Sequence, residues 1–289
     1  MNISAADVKK LRDLTGAGMM TCKEALTEAG GDLEKAIENL RKAGAAKAAK
    51  RAEREANEGK IAILVSDSSV LIWEVNSETD FVSRNEDFLD YCKALGPILL
   101  QEKPGDIDEA LALEVDAFGG RSVSEKQTEL IGKIGENISF SRFAILPVAV
   151  NEKAFSYIHG NGKIGVAVIL TGDGAALATD AAAELGKDLA MQIAAFNPVA
   201  IKRDDVPSDI VAKEKEIYAD QVRASGKPEN IIEKIVTGKL DKFFEETVLL
   251  EQAFVKDTGK TVDGYVREMA AKAGSALGVK QFIRYQIGQ

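Results

Sequence analysis

One plan recurs in this 289-residue chain, and it constrains the fold more than any other feature. Residues 60–75, KIAILVSDSSVLIWEV, and residues 154–170, AFSYIHGNGKIGVAVIL, each read as two β-strands around a short polar turn. The first turn is Asp67-Ser68-Ser69 and the second carries Asn161-Gly162 at its tip. Helical periodicity follows both hairpins, at about 88–100 and 181–196, with a further helix near 124–134 in the first unit. Each unit closes on a late strand, NISFSRFAIL (137–146) and VKQFIRYQI (279–287), that carries Phe-x-Arg-aromatic: Phe140–Phe143 and Phe282–Tyr285. A three-stranded sheet needs a helical layer to bury its apolar face. The expectation is therefore an α+β core of two related small subdomains, 60–147 and 148–289.

Ahead of the core, residues 1–45 read as three short helices separated by glycine turns. Ser4 with Asp7 suits a capping box, Val8, Leu11 and Leu14 lie at helical spacing, and Asp32 suits an N-cap for the third helix. Residues 46–59 carry almost no apolar side chain larger than Ala and several Lys and Arg. They are expected to form a solvated helical linker or, in the rival reading, a contact for an anion. The second unit holds an insertion, about 202–248, with two helical arms around Ser225–Pro228: an antiparallel hairpin that dimerises, reaches a partner or packs as a subdomain. Its seam is expected from Ile210, Ile217 and Tyr218 on one arm and Ile231, Ile235, Val236, Leu240 and Phe243 on the other.

The formal charge of −9 argues against nucleic acid as the main partner. No run of about 18 apolar residues suits a membrane span, and Met1 leads into a polar amphipathic segment rather than a secretory leader. Cys22 and Cys92 are far apart and suit a reducing, cytoplasmic setting. The single histidine, His159, excludes His-rich metal sites, and no G-x-S-x-G accompanies it. Gly160–Gly165 fits G-x-G-x-x-G, but strands lie on both sides, so no helix N-terminus meets a pyrophosphate there. No metal or cofactor is expected.

Two stretches stand out for recognition. NSETDFV (76–82) leaves a strand and then places Phe81 and Val82 where the chain meets water. Phe81 either staples the turn to its own sheet or is held out for another molecule, and an enzyme reading would make Asp80 a general base beside Glu78 and Asn76. Met19-Met20 begin a helix beside the Thr15–Gly18 turn; adjacent helical positions do not both face inward, so contact and core compete there.

LRDLTGAGMMTCKEAL with NSETDFV, and further GDLEKAIENLRKAGAAKAAK, IGENISFSRF and IHGNGKIGV, resemble the elongation factor Ts family from the first helix to the last strand. The resemblance implies an N-terminal ubiquitin-associated-like helical module, two related α+β subdomains and a helical hairpin inserted in the second. It implies a non-enzymatic guanine-nucleotide exchange factor that binds elongation factor Tu, GDP-bound and nucleotide-free, during translation. Thr79, Asp80, Phe81 and Val82 match the motif whose Asp and Phe reach the partner's nucleotide-binding domain, displace helices near its switch region, disturb magnesium and loosen GDP. Leu11, Thr15, Gly16, Met19 and Met20 match the N-terminal module's contact with the same domain. His159 and Gly160 match a turn that touches a different domain. Many members continue past the last strand into a short helical module; this sequence stops at Gln289, so that contact is not carried over. A ribosome-associated accessory role for the hairpin, and a homodimer through the hairpin or core, remain open alternatives.

Overall fold

The computed structural model describes residues 3–289. Its N-terminal module is α1 (Ala5–Thr15), α2 (Met19–Glu28) and α3 (Leu33–Arg51). Ser4 and Asp7 form the capping box, Gly16 closes α1 in the left-handed region at φ 67°, and the Asp32 side chain accepts from Lys35 N. Val8, Leu11, Cys22, Leu26 and Ala36 make the small core, each from the helix face that the spacing indicates. Leu14 does not join it: it is 61% exposed.

The first sheet consists of β1 (Glu58–Val65), β2 (Ser69–Ser77) and β5 (Ile138–Pro147), antiparallel in the order β1-β2-β5. Between β2 and β5 run α4 (Glu86–Glu102), α5 (Ile107–Ala112), the two-residue strands β3 (Glu114–Val115) and β4 (Arg121–Ser122), and α6 (Val123–Ile134). The second sheet repeats the topology: the β6 (Glu152–His159) and β7 (Ile164–Gly172) hairpin is completed by β10 (Leu277–Gln286) in the order β10-β7-β6. Its helices are α7 (Gly174–Leu177) and α8 (Asp180–Phe196), then the inserted α9 (Ser208–Ala224) and α10 (Glu229–Thr247). The strands β8 (Ala253–Phe254) and β9 (Asp257–Thr261) and the helix α11 (Val262–Ala273) lead into β10. The helix α11, absent from the sequence reading, is the counterpart of α6. The α+β class expected from the sequence holds.

The sheets pack against each other. Ile61 and Ile72 of the first meet Tyr285 and Ile287, and Val70 meets Ala154, Ala167 and Ile169 of the second. The opposite faces are covered by α4 and α6 and by α8 and α11. The layers run helix, sheet, sheet, helix, which is why β2 is buried at all of its positions and reads SVLIWEV without alternation. A Cβ on Gly165 would meet Ile61 Cγ2 at 2.4 Å, so the sheets come too close there for any side chain. The recurrent arginine of the first unit serves this junction. Arg142 pairs with buried Glu74 (2.6 Å), donates to Gln286 O (3.1 Å) and lies over the Tyr285 ring, 4.2 Å from its centroid. Removing Arg142 alone would strand the Glu74 carboxylate in a low-dielectric layer.

Two sequence expectations need correction. The stretch 46–59 is not a solvated linker throughout: α3 continues to Arg51, and Ala48 is buried in the core of the first subdomain. Small residues on that face let α3 lie close on α6. The hairpin seam also differs. Val222 faces Ile232 and Val236, with Tyr218, Ile235 and Leu240 beside them, whereas Ile210, Ile217 and Ile231 are exposed. Phe243 packs at the hairpin root, beside Ala200, Val206 and Val248.

Candidate functional site

The turn after β2 is held from within and bare outside. Thr79 donates twice to Glu136, from N to Oε2 (3.0 Å) and from Oγ1 to Oε1 (2.8 Å). Asn137 N donates to Glu78 Oε1 (2.6 Å), and Arg54 pairs with the same carboxylate at 3.4 Å. Ser77 Oγ donates to Thr79 O, and Ser83 Oγ to Asp80 O. Val82 turns inward and is buried with the α4 and α6 side chains. A one-turn 3-10 helix, Val82–Arg84, then leads into α4, capped by Asn85. Phe81 stands on this frame 80% exposed. Its backbone (φ −63°, ψ −45°) is relaxed, so the ring is outside because the turn puts it there and not through strain. Asp80 is paired with Arg84 at 2.9 Å, a surface bond that another partner can replace at little cost.

The constellation needed for general-base chemistry at Asp80 does not assemble. The Asn76 amide faces the buried Glu74 (2.9 Å), and Glu78 is occupied by Asn137 and Arg54. Two surface grooves, of ≈ 450 and ≈ 330 Å³, lie along β5 with α5 and along β1 with α4, and neither is lined by Asp80 or Phe81.

Met19 and Met20 are both exposed, at 44% and 67%, and Leu14 is exposed on the other side of the same glycine turn. Leu14 was not singled out as a contact residue by sequence reasoning; its signal was an apolar residue two positions before a glycine break. Leu11, expected as a contact residue, is instead fully buried in the module's own core with Val8, Cys22 and Leu26, because its helix face points inward; Thr15 Oγ1 donates back to Leu11 O (2.7 Å). Gly16 rests against the Lys133 stem, where an added Cβ would come within 2.7 Å of Cε, and Lys133 Nζ binds Asp87 at 2.6 Å. Asp87 lies in the first turn of α4, six residues beyond Phe81. The methionine turn and the Phe81 turn are thus joined through one lysine.

His159 and Gly160 begin the β6–β7 tip and are exposed. Gly160, Asn161 and Gly162 take φ values of 58°, 57° and 92° in succession, which the Asn-Gly signal anticipates. The Tyr157 hydroxyl and His159 Nδ1 are 2.9 Å apart. The tip is fastened to β1: Ile61 N donates to Gly162 O, Lys60 Nζ donates to both oxygens of Asn161, and Lys163 pairs with Glu58. Burial pushes the Lys60 ammonium below its usual range. Glu58 pairs in register with Ser77, the residue from which the Phe81 turn leaves. The structure therefore brings the three predicted contact regions to one end of the layered core. The Glu136-Asn137 brace was legible only as part of IGENISFSRF, with no role attached to it.

The architecture is a doubled α+β core with a helical module at one end, an inserted helical hairpin and an exposed aromatic turn. The family model for elongation factor TS matches residues 78–289. Elongation factor Ts of Prosthecochloris aestuarii is 47% identical over 289 residues, covering 99% of each chain. That of Chlorobium luteolum is 46% identical over 290 residues, again 99% of each, and that of Clostridium botulinum 44% over 289 residues, 99% of this chain and 93% of the relative. The chain belongs to the elongation factor Ts family, and so to the elongation factors of protein biosynthesis. Among the described residues, no helix is long and apolar enough to cross a membrane.

Proposed function

We propose that this chain binds elongation factor Tu in its GDP form, promotes GDP release, and leaves the partner free to take GTP. The observation that carries this reading is Phe81: a large apolar ring, 80% exposed, on a turn fixed from inside by Thr79 and Glu136. A ring so presented loses little freedom on docking, so most of its burial energy is available to the complex. Asp80 accompanies it, exchanging its Arg84 bond for groups near the partner's magnesium site, which loosens metal and GDP together. No side chain of this factor takes part in bond making or breaking.

Energetics require more than one contact. To favour the nucleotide-free partner by about 10⁴-fold takes about 5.5 kcal/mol of differential binding. One buried Phe supplies about 1.5–3 kcal/mol. The remainder is assigned to Leu14, Met19 and Met20 and to the His159-Gly160 tip, which share an end of the molecule with Phe81. Reciprocity of linkage gives the test: the chain must bind nucleotide-free elongation factor Tu more tightly than the GDP form, by the factor through which it weakens GDP. Calorimetric titration of both forms measures that factor. Equal affinity for the two would refute the proposal, and so would binding or turnover of GDP by the chain alone.

A further inference from the structure

The helix α3 belongs to two bodies at once. Its first half supplies Ala36 to the N-terminal core, and its second half supplies Ala48 to the core of the first subdomain. Its 19 residues span about 28 Å without a break. It is held at two levels along α6 and at a third just past the ends of both helices. Arg41 pairs with Glu125 (3.1 Å), a Cβ on Gly132 would lie 3.3 Å from Gly44 Cα, and beyond the helix Arg54 O accepts from Asn137 Nδ2 (2.8 Å). Asn137 is part of the brace beneath Phe81. A helix that is packed at both ends, and whose far end runs into the frame of the turn, transmits position.

We infer that α3 is a strut that sets the methionine patch at a fixed distance from Phe81, and that Gly132 is the positioning residue at its crossing with α6. The consequence for exchange rests on the function proposed above: the two contacts engage elongation factor Tu as one rigid body. Were the module on a flexible tether, its binding would raise the effective concentration of Phe81 far less. The crossing is asymmetric, which makes it testable. A Cβ on Gly44 meets nothing within 4 Å, whereas one on Gly132 presses on the α3 backbone. Gly44→Ala leaves the strut in place; Gly132→Ala shifts it slightly and Gly132→Leu displaces it.

Two measurements separate this inference from the function on which it builds. Spin labels at Lys23→Cys and Asp90→Cys, both on exposed positions, report the module against the core without any partner. A narrow distance distribution in the otherwise wild-type chain and in Gly44→Ala, broadened or moved in Gly132→Leu, is expected. A broad distribution in the wild type would overturn the strut, whatever happens in exchange. The second measurement titrates each variant against elongation factor Tu·GDP. Displacing the strut should raise the factor concentration for half-maximal GDP release about tenfold in Gly132→Leu and about threefold in Gly132→Ala, with a smaller fall in the maximal rate. Loss of maximal rate with an unchanged half-point, or equal behaviour of the Gly44 and Gly132 variants, would refute a positioning role. Should Gly132→Leu fail to fold, Gly132→Ala and the wild-type distance still decide. If the wild-type chain releases no GDP at all, the exchange function fails while the distance measurement judges the strut alone.

Discussion

Replacing Phe81 by Ala removes a ring that touches little of its own protein. A phenylalanine buries about 150–250 Å² when fully covered. With 80% of Phe81 exposed, about one fifth of that, or about 40 Å², is covered by its own chain. At about 25 cal/mol per Å² the internal loss is about 1 kcal/mol, against about 3–5 kcal/mol for a core Phe→Ala. In a chain of this size that corresponds to a fall in Tm of about 2–4 °C. In the complex the same ring is an anchor, and truncating an anchor costs about 2–4 kcal/mol at the state that engages it. Release of GDP from elongation factor Tu should therefore slow by at least about tenfold, at 1.36 kcal/mol per decade. The paired assay is thermal unfolding of Phe81→Ala beside its exchange rate per folded molecule. A large drop in Tm with near-normal exchange would refute the reasoning and make Phe81 an internal staple.

The brace, the hairpin, the strut and the metal each give a further expectation. Glu136→Ala leaves Thr79 N–H and Oγ1–H without their acceptor, a cost of about 1 kcal/mol or more, and should slow exchange about fivefold or more while Phe81 is still present; an unchanged rate would remove the brace from the account. Replacing Ser208–Thr247 by a short Gly/Ser link should leave both sheets folded and exchange active, since the Val222–Ile232–Val236 seam is internal to the hairpin; melting of the second sheet in hydrogen exchange would show that the hairpin is core. Removing residues 1–32 should lower exchange without destabilising the core. Removal through Arg51 should additionally cost the core about 1–3 kcal/mol, because it uncovers the face that Ala48 closes; denaturant midpoints of the two truncations compare them, and equal midpoints would mean that α3 lends the core nothing. Raising magnesium should slow factor-driven GDP release, and a rate indifferent to magnesium would separate the turn from the metal.

What the sequence disclosed and what it withheld follow from the range of the interactions involved. Both hairpins, the Ser4–Asp7 capping box and the arms of the insertion rest on contacts between near neighbours, so period and cap residues mark them. The packing of sheet on sheet is a long-range event. Its trace was present in SVLIWEV and IGVAVIL, which fail to alternate because both faces are covered, and in Gly165, but neither names the covering partner. The reach of α3 was misjudged for a related reason. A close helix crossing is made by small residues, and Gly44 and Ala48 look like an absence of core when the facing Gly132 is not in view. The exposed isoleucines of the hairpin misled in the opposite sense, since apolar spacing alone does not choose between neighbouring helix faces. At the site, the exposure of Phe81 could not be read from its neighbours. Local chemistry made it a turn residue, and only the Thr79–Glu136 bonds, across 57 positions, show why the turn holds its shape with the ring outside.

The central claim is that this chain speeds the loss of GDP from elongation factor Tu, and stopped-flow fluorescence tests it most directly. Elongation factor Tu loaded with a fluorescent GDP is mixed with excess unlabelled GDP, with and without the factor. The account predicts a release rate that rises with factor concentration and then saturates, at least about a hundredfold above the spontaneous rate, equivalent to about 2.7 kcal/mol from the barrier. A rate that stays at the spontaneous value as the factor is raised to saturation of binding would contradict it.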